Sequence, residues 1–158
     1  METKYIRREL SAVIEEAYRY FSVITVTGPR QSGKTTLIRN LFPHLPYYSL
    51  ENLDVRSFDE NDPVAFLNQH TEGMILDEVH NAPNLLSYIQ GMVDADADRR
   101  FILSGSSQFA MLKKVTQSLA GRTAVFELLP MSYSEIREIA ADTPLDHLLF
   151  NGFYPAIY

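Results

Sequence analysis

The stretch that most restricts how this chain can fold is Gly28-Pro29-Arg30-Gln31-Ser32-Gly33-Lys34-Thr35, which fits the pattern GxxxxGK[ST]. An apolar run at 22–27 precedes it, and a helical pattern begins at Lys34. The glycines let the backbone turn with its N–H groups pointing inward, where they form a nest for phosphate at the start of the helix. The motif therefore predicts a strand, a phosphate-binding loop and a helix in succession.

The same motif predicts which groups meet a bound nucleotide. We expect Lys34 to bring its charge to the β and γ phosphates of ATP, and the hydroxyl of Thr35, rather than that of Thr36, to be a ligand of Mg²⁺. The residues expected around the phosphates are Gly28, Arg30, Gln31, Ser32, Gly33, Lys34, Thr35 and Thr36.

A second motif is the apolar run at 73–76 that ends in two carboxylates, Asp77 and Glu78. A buried strand presents its C-terminal end at the ligand crevice, so Asp77 is expected to reach the Mg²⁺ shell through water, and Glu78 to address the water that attacks the γ phosphate. This is a Walker B pattern. The alternative is that Glu78 only caps a helix ahead of residues 81–84.

Polar residues after the fourth apolar run, and one later arginine, complete the expected site. Ser106 is predicted to sense the γ phosphate, with Gln108 as the alternative water-orienting group; Ser106 would otherwise be an N-cap for a helix at 108–119. Arg122 is expected to complete a transition-state clamp, or else to form a surface ion pair. His80 is interpreted as an ordinary loop histidine.

The apolar runs and helical patterns alternate along the chain. An amphipathic helix is predicted over the first twenty residues, because Ile6, Leu10 and Ile14 recur at helical spacing. The predicted strands are 22–27, 47–50, 73–79, 100–104 and 123–129. The predicted helices between and after them are 34–42, parts of 53–68, 84–93, 108–119 and 134–140. This alternation predicts a doubly wound α/β fold, a parallel sheet with helices on both faces.

Composition excludes several classes of protein. The chain has 158 residues and no cysteine, so disulfides and thiolate metal sites are excluded and a cytoplasmic location is expected. No run approaches the roughly 18 apolar residues that a membrane helix needs, so no membrane partner is expected. The net charge is -6, and the pair Lys113 and Lys114 is too small a basic cluster to indicate nucleic acid.

Taken together, these segments resemble the prokaryotic AAA-superfamily ATP-binding proteins that join a P-loop domain to an uncharacterised C-terminal domain. The segments that carry the resemblance are GPRQSGKTTL at 28–37, ILDEVHNAPNLLSYIQ at 75–90, RFILSGSSQF at 100–109, SLAGRTAVFELLPMSYSE at 118–135 and NGFYP at 151–155. It implies a P-loop NTPase fold with five strands in the order 5-1-4-3-2. It also assigns Lys34 and Thr35 to nucleotide and metal, and Asp77 and Glu78 to catalysis.

The resemblance has further implications for partners. It suggests that Arg122 acts on the nucleotide of a neighbouring subunit, and therefore a homo-oligomer. Since such proteins continue past an NGFYP-like segment, we expect residues 1–158 to be a single P-loop ATPase domain at the N-terminal part of a longer protein. Its partner would then be the missing C-terminal domain or an unidentified protein.

The expected activity is Mg²⁺-dependent hydrolysis of ATP to ADP and phosphate. A GTPase would show an Asn-Lys-x-Asp segment for reading the base, and a small-molecule kinase would carry an arginine-rich lid; the chain shows neither. A nucleotide-binding switch or interaction module with little turnover remains the alternative.

Overall fold

The computed structural model describes residues 5–106 and 109–158, without the side chains of Asp59 and residues 109–112. Its strands are β1 (Val23–Gly28), β2 (Tyr47–Ser49), β3 (Gly73–Asp77), β4 (Arg100–Ser106) and β5 (Thr123–Glu127). They form a five-stranded sheet in the order β2-β3-β4-β1-β5, and every pair is parallel. This confirms the doubly wound P-loop fold and the predicted strand order.

Helices connect the strands. They are α1 (Leu10–Tyr18), α2 (Lys34–Leu41), α3 (Leu53–Asn61), α4 (Pro63–Leu67), α5 (Leu85–Ala95), α6 (Phe109–Ser118), α7 (Tyr133–Arg137) and α8 (Leu145–Asn151), with short 3₁₀ turns at Val79–Asn81 and Pro155–Ile157. None of the helices in the described part of the chain has both the length and the apolar character needed to cross a membrane.

The sheet is covered on both faces, as predicted, and β3 shows how. Met74 and Leu76 belong to the core beneath α4, α5 and α6, whereas Ile75 between them belongs to the core beneath α1 and α2. Side chains alternate across a strand, so an unbroken apolar run supplies both cores at once. A third, smaller apolar cluster gathers the segments after β5 around Ile136 and Leu148.

Two predicted helices differ from those observed. Residues 5–8 are not helical, and α1 begins at Leu10 although Ile6 fits the helical spacing. The pattern at 53–68 is divided at Asp62, whose side chain caps α4 by accepting a hydrogen bond from the Ala65 N–H, with Pro63 as the first helical residue.

The end of the chain also departs from expectation. The apolar stretch after residue 144 forms α8, which the sequence did not predict as a helix, and Phe150 on it is 91% exposed. Gln108, one of the two predicted water-orienting residues, lies outside the described residues, as does the predicted start of α6.

Candidate functional site

The loop between β1 and α2 adopts a backbone that requires its glycines. Gly28 has φ +149°, and a Cβ there would lie 2.2 Å from the Leu128 carbonyl oxygen, so no larger residue fits. Gly33, directly before α2, has φ +94°, and Gln31 has φ +65°. These left-handed positions curl the chain around the start of α2, where the helix dipole and free N–H groups favour an anion.

Lys34 is drawn into this loop and is 5% exposed. Its Nζ donates hydrogen bonds to the carbonyl oxygens of Gly28 at 3.0 Å and Pro29 at 2.8 Å. Burial lowers the pKa of Lys34, while the carboxylates of Glu78 and Asp77 act in the opposite direction. The ammonium group is therefore held at the mouth of the loop by neutral acceptors, which a charged phosphate oxygen can replace.

Asp77, at the end of β3, is 4% exposed and receives hydrogen bonds from several elements. Its Oδ2 accepts from the hydroxyls of Thr35 at 2.6 Å and Tyr47 at 2.8 Å. Its Oδ1 accepts from the Ser104 hydroxyl and from the Glu78 N–H, the latter at 3.1 Å. These bonds join the phosphate loop, β2, β3 and β4 at one carboxylate.

Tyr47 and Ser104 are site residues that sequence reasoning missed. Burial, followed by the hydrogen bond to Asp77, raises the pKa of the Tyr47 phenol to about 12, so it stays a donor at neutral pH. A tyrosine in a strand carries no spacing signal, so nothing in the sequence distinguishes Tyr47 from a packing residue. Ser104 lies in the same polar segment as Ser106. It reaches Asp77 because the parallel register that pairs Leu76 with Leu103 brings position 104 beside position 77.

Glu78 has an environment unlike that of its neighbour. Its backbone is left-handed, with φ 56° and ψ 45°, and its side chain makes no capping hydrogen bond to the 3₁₀ turn that follows. Its Oε2 lies 3.1 Å from Nδ1 of His80, and both side chains are about one fifth exposed. The capping alternative thus gains no support from the geometry, and the loop histidine is a direct neighbour of the carboxylate.

The structure places Ser106 at the carboxyl-terminal ends of the strands, where the phosphate loop lies, and Arg122 at their amino-terminal ends. Ser106 is the last residue of β4 and is paired in register with Gly28. Arg122 directly precedes β5, and its carbonyl oxygen accepts from the N–H of Val23, the first residue of β1. Its guanidinium Nη2 donates to Oδ2 of Asp94 at 2.8 Å.

The donors at this edge fit a hard divalent cation. Thr35 and Asp77 present hydroxyl and carboxylate oxygens within hydrogen-bonding distance, the ligand type that Mg²⁺ prefers. Among residues 5–106 and 109–158, no three His, Cys, Asp or Glu side chains gather as a metal cage. A sparse oxygen site suits Mg²⁺, which keeps several of its waters and takes other ligands from phosphate.

Comparison with known proteins gives the family. The sequence model of the AAA domain family matches residues 20–137. Uncharacterized proteins of Mycobacterium bovis and Mycobacterium tuberculosis are each 31% identical over 139 residues, which cover 86% of this chain. The chain spans only 31% of the length of these relatives.

Solved structures agree at the level of fold. The Walker-type ATPase of Pyrococcus abyssi superposes with a TM-score of 0.67 at 16% identity, over 98% of this chain and 65% of that one. A signal transduction ATPase with numerous domains and a tetratricopeptide repeat sensor, from Pyrococcus horikoshii, gives a TM-score of 0.61 at 15% identity, over 98% of this chain and 29% of that one. With this fold, and with a family match over most of its length, the chain belongs to the AAA domain family of P-loop ATPases.

Proposed function

We propose that this domain binds ATP together with Mg²⁺ and hydrolyses it to ADP and phosphate. The observation that carries the proposal is the hydrogen bond of 2.6 Å between the Thr35 hydroxyl and the Asp77 carboxylate. It places the helix behind the phosphate loop and the end of β3 at one point, directly beside the buried Lys34. Membership of the AAA family supports a nucleotide as the anion that this loop receives.

The loop residues would bind the triphosphate. N–H groups at the start of α2 face the phosphates, and Lys34 exchanges the carbonyls of Gly28 and Pro29 for β and γ phosphate oxygens. A hydrogen bond from an ammonium group to an anionic phosphate oxygen joins opposite charges and is stronger than one from the same group to a neutral carbonyl, so this exchange favours binding. Arg30 and Thr36, which flank these groups along the chain, are proposed to contact the outer phosphate oxygens.

Thr35 and Asp77 would hold the cation. Mg²⁺ bound there supplies positive charge that stabilises the leaving ADP and the γ phosphate in the transition state. The Thr35 hydroxyl could bind the cation without losing its hydrogen bond, because its oxygen has lone pairs for the cation while its proton stays on Asp77. The carboxylate would meanwhile stay in place, because Tyr47, Ser104 and the Glu78 N–H continue to donate to it.

Glu78 would orient the attacking water and accept its proton. Glu78 directly follows Asp77, but its carboxylate is hydrogen-bonded neither to Asp77 nor to the start of the following 3₁₀ turn. The carboxylate can therefore turn toward the γ phosphate. His80 faces Glu78 Oε2 at 3.1 Å, where it can hold the carboxylate when no nucleotide is present. Ser106, beside Gly28 at the edge of the sheet, is proposed to contact the γ phosphate.

The direct test is calorimetric titration of wild type and Lys34→Ala with ATP and Mg²⁺. We expect the affinity of the variant for ATP to fall by about 100-fold or more, because removal of the buried Lys34 cation leaves the β and γ phosphates without a charged partner. Circular dichroism and thermal unfolding establish that both proteins are folded. Lys114→Ala, which removes an exposed lysine of α6, is the matched control and should bind as wild type does.

The outcomes separate the proposal from its alternatives. Equal ATP affinity in wild type and Lys34→Ala would contradict the phosphate-loop assignment. Tight binding by wild type with no release of phosphate, alone or at high protein concentration, would instead support a nucleotide-binding switch.

A further inference from the structure

Arg8 lies behind the phosphate loop, on the segment just before α1, and its side chain is only 6% exposed. Its Nη1 donates to the carbonyl oxygen of Ser32 at 2.8 Å, within the loop itself. Its Nη2 donates to the carbonyl oxygen of Leu129 at 2.8 Å, and its Nε lies 3.1 Å from Oε1 of Glu135. The planar guanidinium thus joins the loop to the segment that follows β5.

Glu135 is fixed as firmly as the arginine that it faces. Its Oε1 accepts from the Glu9 N–H at 2.7 Å and its Oε2 from the Ser132 N–H at 2.8 Å. The second bond is half of a capping box, in which the Ser132 hydroxyl in turn accepts from the Glu135 N–H. The carboxylate therefore holds the guanidinium in one orientation.

Stability alone does not account for this ion pair. Both side chains are 6% exposed, and the cost of removing two charges from water is comparable to their mutual attraction in the interior. An apolar pair of similar volume would hold these segments together about as well. What it would not supply is a donor to the Ser32 carbonyl.

The orientation of that carbonyl decides where the next amide points. In a trans peptide the C=O and N–H are antiparallel, and the described residues contain no cis peptide. With the Ser32 C=O directed outward to Arg8, the Gly33 N–H must face the inner side of the loop. The guanidinium lies close behind Gly33, since a Cβ built there would be 3.6 Å from Arg8 Nη1.

We propose that Arg8 is a positioning residue for the triphosphate. Held by Glu135, it fixes the Ser32–Gly33 peptide so that the Gly33 N–H is already aimed at a phosphate oxygen before ATP arrives. Without Arg8, the peptide before Gly33 would rotate readily, because glycine has the widest backbone freedom. The entropy lost in ordering this peptide would then weaken ATP binding. The inference rests on the proposed function, since it assumes that phosphate occupies this loop.

The test compares Arg8→Met with Arg99→Met. Arg99 is a matched control: it is another buried arginine, 8% exposed, and it donates to the backbone carbonyls of Leu67, the last residue of α4, at 2.6 Å and of His70 at 3.2 Å. It lies just before β4, at the end of the sheet opposite to the phosphate loop. Both variants should lose stability. Only Arg8→Met should also weaken the affinity of the folded protein for ATP with Mg²⁺, by about tenfold, the effect of one hydrogen bond to a charged group.

A second readout needs no nucleotide. In ¹⁵N-labelled protein, the Gly33 amide should shift and exchange its proton faster in Arg8→Met, and remain as in wild type in Arg99→Met. If Arg8→Met does not fold, Arg8→Lys carries the test, because it keeps a cation beside Glu135 but cannot bond both carbonyls with a planar fork. It should change the Gly33 amide in the same direction.

Each result has a distinct meaning. Wild-type affinity and an unchanged Gly33 amide in the arginine variants would overturn the inference while leaving ATP binding intact. A wild-type chain that binds no ATP would refute the proposed function, and the Gly33 amide would still show whether Arg8 sets the shape of the loop.

Discussion

Adjacent carboxylates at the end of β3 have different degrees of freedom. Asp77 is buried and bonded to donors from the loop, β2 and β4, whereas Glu78 sits on a left-handed backbone, makes no capping hydrogen bond and lies beside His80. A fixed carboxylate suits a metal ligand, and a movable one suits a base that must follow a water molecule.

This contrast predicts the behaviour of Glu78→Gln. The amide keeps the shape of the side chain but does not accept a proton, so the rate of phosphate release should fall by about 10²- to 10⁴-fold. Affinity for ATP should stay within about twofold of wild type, because the role proposed for Glu78 is toward the attacking water and not toward the phosphates. Steady-state phosphate release and calorimetry measure the two quantities.

Glu51→Gln is the control for charge, since Glu51 is an exposed carboxylate just after β2 at the same edge of the sheet. It should leave the rate unchanged. Hydrolysis by Glu78→Gln at the wild-type rate would show that another group prepares the water.

At the scale of elements, the capping box of α7 carries a buried carboxylate whose ionisation matters. Burial alone would raise the pKa of Glu135, but the N–H groups of Ser132 and Glu9 and the Arg8 guanidinium more than offset it, so the pKa lies below its ordinary value of 4.5. Because the folded-state pKa is the lower one, the ionised form stabilises the fold fully above about pH 4.5, and that contribution is lost as the pH falls through the folded-state value.

Glu135→Gln should therefore be destabilised near pH 7, by about 3–5 kcal/mol, since the Arg8 guanidinium is left without its charged partner. The difference in free energy of unfolding between wild type and variant should shrink as the pH drops below 4.5. Denaturant unfolding at several pH values measures it. Glu15→Gln, whose carboxylate forms an exposed pair with Arg7, is the control and should differ little from wild type at any pH. A gap that stays constant down to pH 3 would contradict the assignment.

The elements also show what the sequence can predict. The phosphate loop and its flanking strand and helix were predictable because a local pattern specifies them within about ten residues. The start of α1 was not: Ile6 fits the helical spacing, but the Glu9 N–H at the helix start is satisfied by Glu135, far along the chain. Arg8 and Tyr47 were missed for the same reason, since their roles depend on partners that no spacing in the sequence reveals.

At the scale of the whole molecule, the parallel sheet separates two groups that the sequence placed in one mechanism. The phosphate loop follows β1, whereas Arg122 precedes β5 beside the first residue of β1. A strand of this length spans about 17 to 20 Å, too far for an arginine to reach its own nucleotide. A catalytic role for Arg122 therefore requires a second subunit, and its exposed pair with Asp94 is of the kind that is easily exchanged.

The prediction is that turnover depends on assembly. Specific activity should rise with protein concentration, and a mixture of Arg122→Ala with Glu78→Gln should recover turnover that neither variant shows alone. Asp94→Ala is the matched control, because it breaks the same ion pair but leaves the guanidinium in place; it should retain activity. Equal loss in Arg122→Ala and Asp94→Ala, with a mixture that stays inactive, would reduce Arg122 to a structural ion pair.

Within the described residues, Gln31 and Glu78 are the non-glycine positions with a left-handed backbone, and both lie at the candidate site. Glycine would relax the backbone at either position, at a gain of about 1 kcal/mol. Selection for heat resistance alone would thus favour glycine at both. At position 31 that change would preserve the shape of the phosphate loop. At position 78 it would remove the proposed base, so selection for thermal stability alone would tend to produce a domain that no longer hydrolyses ATP.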